Sequence, residues 1–142
     1  FADERAIHAY AIAIQWDAPS SRLVFAESER IDSFAQRGAV SLPHLSGQIY
    51  FVTDEAGQYR LAILSRPTIA GSLYGVLTTL LVGQGSQLVP ASCPFALVRP
   101  RDGSASAFGR IEPGHPAYEG YRAELDAVLA RDFARFPGAG RG

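Results

Sequence analysis

The sequence predicts an α+β domain, an antiparallel sheet of about five or six strands with a C-terminal amphipathic helix laid on one face. Three observations carry that prediction. Residues 48–65 hold two β-rich runs around a polar turn, residues 6–16 alternate large and small side chains, and residues 117–136 repeat apolar residues at three- and four-residue spacing. A small β-barrel closed by the helix is the alternative, because the strand-like segments are numerous and the turns between them short.

From Ala6 to Trp16, the side chains of His8, Tyr10, Ile12, Ile14 and Trp16 fall on one side of an extended chain and Ala9, Ala11 and Ala13 on the other. Period two reads as a strand; the competing reading is an alanine-rich helix from about Asp3, in which Ile7, Tyr10 and Ile14 share a face. Asp17-Ala18-Pro19-Ser20-Ser21 has turn chemistry, and the apolar run Arg22 to Glu27 returns as a hairpin partner. Ile31, Phe34 and Ala35 lie at helical spacing, so a short helix is expected from about Ser28 to Arg37, stopped by Gly38.

Gln48 to Thr53, the turn Asp54-Glu55-Ala56-Gly57 and Tyr59 to Ser65, ended by Pro67, form a β-hairpin signal. Thr68 to Val82 reads two ways. Thr68 caps a helix carrying Leu73, Leu77 and Leu80, or Leu73 to Val82 is a strand. Gly83-Gln84-Gly85-Ser86 is a turn, and a second hairpin is expected from Phe95 to Arg99 paired with Ala105 to Ile111 around Asp102-Gly103. Pro113 and Pro116 break any ladder. After them Tyr118, Tyr121, Leu125, Val128, Leu129 and Phe136 mark the helix, about Ala117 to Phe136. Residues 1–136 are expected to form one domain and the Gly-rich residues 137–142 a flexible tail. The order strand, hairpin, short helix and run of antiparallel strands resembles sensory folds of the PAS kind in pattern, without a shared motif.

Composition narrows the chemistry by exclusion. The chain has no Lys, Asn or Met, and all 13 of its basic residues are Arg. Without Lys there is no protein Schiff base, pyridoxal phosphate anchor or phosphate-loop lysine; without Asn there is no Cys-His-Asn triad. Arg in place of every Lys, among abundant Ala and Gly, reads as the bias of a GC-rich, bacterial genome. A formal net charge of −1, spread along the chain, predicts no nucleic-acid binding. No apolar run reaches the roughly 18–20 residues of a membrane span. A start on Phe1 reads as a processed or trimmed product, and a single cysteine leaves the compartment undetermined.

Candidate catalytic residues are few. Cys93 is the one thiol, and Gln87 six residues earlier is similar in spacing to the oxyanion glutamine of papain-like proteases. Those enzymes hold the thiolate at the start of a long helix, whereas Pro94 precedes a short strand-like run, so a packing cysteine is the better reading. His115 is the base such a site would use. His8, His44 and His115 lack metal-ligand spacing, and neither metal nor cofactor is expected. Glu27 with Glu29 reads as charge at a strand end rather than a catalytic pair. Arg99, Arg101 and Arg110 gather on the expected last hairpin, where their guanidinium groups suit one anion.

The reading is therefore a non-enzymatic ligand-binding or sensory module with an apolar pocket between sheet and helix and an arginine at its mouth, taking a small apolar or anionic ligand. The alternatives are an assembly subunit that buries Tyr118, Tyr121 or an edge strand against a partner or a second copy, and a small cysteine-dependent hydrolase using Cys93 and His115.

Overall fold

The computed structural model describes residues 6–28, 36–43, 47–53, 60–65, 71–82, 84–99 and 107–136. Among the described residues nine strands and one α-helix follow one another: β1 (Ile7–Ala9), β2 (Ala11–Asp17), β3 (Arg22–Ser28), β4 (Arg37–Ser41), β5 (Gln48–Thr53), β6 (Leu61–Ser65), β7 (Leu73–Val82), β8 (Leu88–Leu97), β9 (Gly109–Ile111) and α1 (Tyr118–Ala130). Strands β2 to β8 form a seven-stranded antiparallel meander in sequence order, and β1 pairs with β9 in a small sheet. The α+β class is as the sequence predicts, with more strands than expected. The sheet is not closed, since β2 and β8 stand at its two edges, and the barrel alternative is set aside.

The hairpins follow their turns. Ile14 lies opposite Phe25 in the first, and Phe51 opposite Ala62 in the second. The 17–21 turn is tied by Ser20, whose N–H and hydroxyl both donate to the Asp17 carboxylate, as side-chain capping of a turn requires. The ambiguous 68–82 segment is strand from Leu73 onward. Alternation over residues 6–16 is interrupted at Tyr10, so that β1 and β2 join different sheets.

Three expectations are corrected. Most of the expected 28–37 helix lies outside the described residues, but Arg37 opens β4 and Gly38 is inside it. Gly38 is required there by close approach: a Cβ would stand 1.9 Å from the Val52 carbonyl oxygen and 2.8 Å from the Phe25 ring. The expected hairpin of 95–99 with 105–111 does not form. Phe95 and Leu97 belong to β8 and face Gly75 and Leu73, whereas Ile111 pairs with Ile7. The helix ends at Ala130 rather than Phe136; Asp132 turns to φ 61°, and the Phe133 and Ala134 N–H groups donate back to the Val128 carbonyl, closing the last turn.

Period two divides each strand of the meander between an inner and an outer face. The inner face buries Phe25, Ile49, Phe51, Ala62, Leu64 and Leu73, with Ile12, Val40, Leu77, Phe95 and Leu97 packed around them. Each large side chain so buried contributes about 1.5–3 kcal/mol. A second cluster joins Ile7, Ile111 and Tyr118 with Tyr121 and Leu125. Helix α1 packs on β8, β7 and β1. It meets the outer face at Tyr74, whose phenol donates to the Glu124 carboxylate and whose ring lies 5.0 Å from that of Phe133. No helix among the described residues is long and apolar enough to cross a membrane.

Candidate functional site

Sheet coiling brings the two edges of the meander toward each other on the inner side. The rings of Tyr10, just before β2, and Phe95, in β8, stack with centroids 6.4 Å apart and planes 29° apart. Beneath them is an open hollow of about 270 Å³, counting the space that merges with solvent. Its walls are Tyr10, Ile12, Phe25, Phe51, Leu77 and Phe95, and its polar end is Glu27, Thr53 and Arg60. The enclosed part takes at most about one water molecule.

The polar end is built from backbone upward. Glu27 ends the run Phe25-Ala26-Glu27, so alternation aims its side chain into the apolar interior beside Phe25. Arg60 stands just before β6, where Thr53 fixes it twice: the Thr53 N–H donates to the Arg60 carbonyl at 3.1 Å, and the Arg60 N–H donates to Thr53 Oγ1 at 2.7 Å. Arg60 Nη1 then donates to Glu27 Oε1 at 3.2 Å, with the two side chains only 10% and 5% exposed. The Gln36 N–H donates to the same Oε1 at 3.3 Å. A buried carboxylate and a buried guanidinium thus neutralise each other at one end of an aromatic hollow, as burial of either charge demands.

Sequence reasoning missed this pair. Glu27 and Arg60 are 33 residues apart, and no motif links them. The available signal was a charged residue on the apolar phase of a strand, since Glu27 shares the parity of Phe25 and Leu23.

The residues singled out from sequence lie elsewhere. Cys93 is in the middle of β8, opposite Leu77 on the inner face, and burial pushes its thiol up from the ordinary range. A thiol kept protonated in this way is a poor nucleophile. His115 is exposed in the turn before α1, where its Nδ1 accepts the Ala117 N–H at 3.0 Å; no hydrogen bond joins it to Cys93 among the described residues. Arg110 is in β9 opposite His8, and its Nε donates to Glu112 at 2.5 Å on the exposed surface. Arg99 is exposed just beyond β8, and Arg101 and His44 lie outside the described residues. The hairpin that was to gather the three arginines is replaced by the β7–β8 and β1–β9 pairings. Tyr118 and Tyr121 are spent within the chain: the first is in the second core cluster, and the Tyr121 hydroxyl donates to the Ala107 carbonyl and accepts its N–H.

Comparison with protein-family models, curated proteins and solved structures finds no match to this chain. The resemblance in pattern to PAS-type sensory folds has no counterpart in those comparisons.

Proposed function

We propose that this chain is a ligand-binding or sensory module whose interior hollow receives a small, largely apolar and uncharged molecule. The observation that carries the reading is the buried Arg60–Glu27 pair at the end of the aromatic hollow. Aromatic walls supply apolar contact, and a few placed polar groups orient a ligand. Arg60 has five N–H donors and gives one to Glu27, which leaves capacity for a carbonyl or hydroxyl oxygen. An anion approaching Arg60 would meet the Glu27 carboxylate at the same place, and a cation would meet the guanidinium. Neutral molecules avoid both penalties. Because the enclosed space is water-sized, a larger ligand enters by parting β2 from β8, where ring contact rather than a ladder holds the edges.

Thermal unfolding in the presence of neutral aromatic and alicyclic fragments tests the reading. A fragment at about 100 times its Kd stabilises the fold by about 2.7 kcal/mol. The same fragment loses that effect in Phe95→Trp, which fills the hollow. A library without a stabilising neutral fragment, or shifts that Phe95→Trp leaves intact, overturns it.

A further inference from the structure

The two edges of the meander differ in their chemistry, and the difference points to a partner. In β3 the Glu27 N–H donates to the Gln36 carbonyl at 2.9 Å, and so is turned away from β2. Ile12, the residue opposite Glu27, is therefore in a non-hydrogen-bonded pair, and its own N–H and C=O face the open edge. Period two places the backbone groups of Ile14 and Trp16 on that edge as well. Their side chains are bare too, Ile14 at 45% and Trp16 at 62% exposure.

At the other edge, β8 carries Pro90 and Pro94, opposite Leu80 and Val76 of β7. Residues four apart in a strand present their backbone to the same side. Since proline has no N–H for the β7 ladder, that side is the open edge. The β8 edge thus lacks a donor at two of its outward positions, a recognised protection against strand addition. Strand β2 has no such protection, because Ala11 to Trp16 contains neither proline nor charge.

We propose that β2 pairs with β2 of a second copy of this chain, antiparallel about a two-fold axis at Ile14, joining two seven-stranded sheets edge to edge. In this register Ile14 faces Ile14, and Ile12 faces Trp16 of the second copy. The three outward-facing residues of each strand form hydrogen-bonded pairs, giving about six intermolecular N–H···O bonds. Asp17 falls opposite Ala11, so no like charges are opposed, and the strand is its own complement. A foreign strand inserted between β2 and β8 would find donors missing on the β8 side. The pairing buries less than a standard interface of roughly 1,200–2,000 Å², which predicts a reversible dimer whose population rises with concentration.

Sedimentation velocity over a concentration series tests the proposal, with emission of Trp16, the single tryptophan, as an independent readout. Concentrating the chain should convert monomer to dimer and move the emission to the blue as Trp16 leaves water. Ile14→Lys places a charge on the two-fold axis and should leave a folded monomer. Ile14→Pro removes an outward N–H without touching the β2–β3 ladder and should do the same. A monomer throughout the series with unshifted emission overturns the proposal, as does a dimer that persists in both variants.

Discussion

Glu27 and Arg60 are the residues whose burial is hardest to reconcile with an apolar interior, and each supplies the other with an opposite charge. The guanidinium answers the carboxylate at 3.2 Å, and the Gln36 N–H adds a second donor to the same oxygen. Removing one member takes from the other its charged partner in a poorly solvated site, at a cost of about 3–5 kcal/mol. Glu27→Ala and Arg60→Ala are each expected to lower the free energy of unfolding by that amount in urea titrations. Replacing both by leucine removes both desolvation penalties and should cost clearly less than either single change. If the double variant is instead as unstable as the sum of the singles, the two charges are not coupled and the polar end of the hollow is not a unit.

At the scale of elements, the coiling of the sheet depends on two glycines in strand interiors. A Cβ at Gly75 would stand 1.8 Å from the Ile63 carbonyl oxygen, a closer approach than at Gly38. Gly75 lies between Leu64 of β6 and Phe95 of β8, so the backbone there closes on β6 where the hollow needs its curvature. Gly75→Ala must displace backbone rather than a flexible side chain, and overpacking of that kind costs about 1–3 kcal/mol or more. The expected outcome is a destabilised protein with an altered near-ultraviolet spectrum from the Tyr10–Phe95 contact; unchanged stability would mean that β6 and β7 separate freely. These glycines also explain what the sequence withheld. Gly38 reads as a helix stop because glycine usually ends helices, whereas here it admits a neighbouring carbonyl. The sequence places a strand only from Phe95, just after Pro94, so of β8 only Phe95 to Leu97 were legible, although an edge strand accommodates proline where its nitrogen faces outward. The 17–28 and 48–65 pairings were legible because turn chemistry and alternation are local. The β1–β9 pairing and the Glu27–Arg60 contact were not, because each joins segments that carry no mutual signal along the chain.

Over the whole molecule the two apolar clusters share no residue: the meander holds one, and β1, β9 and α1 hold the other. Helix α1 ties them, and its anchor on the outer face of the meander is the Tyr74 phenol bonded to Glu124; Val128 on the same helix is fully buried. The Tyr74 phenol is pushed up from its ordinary value of 10.0, first by the hydrogen bond to Glu124 and then by burial. The Cys93 thiol is pushed up from 9.0 by burial. Both groups bind their protons more tightly in the folded chain than in the unfolded one. Their contribution is therefore fully present below the unfolded values and is lost as pH rises through the folded ones. Stability should fall from about pH 8.5–9 upward, through Cys93 first and then, above about pH 10, through Tyr74. Ionised Tyr74 can no longer donate to Glu124 and repels it, so α1 and the β1–β9 pair should open before the meander does. Hydrogen exchange at alkaline pH should show the amides of α1 losing protection while those of β3, β5 and β6 retain it. The combination Tyr74→Phe with Cys93→Ala should flatten the alkaline fall in the urea midpoint, at the expense of about 1–2 kcal/mol near neutral pH from the lost bond to Glu124. An alkaline fall of the same slope in that variant would show that other groups control it and that Tyr74 does not clamp the helix.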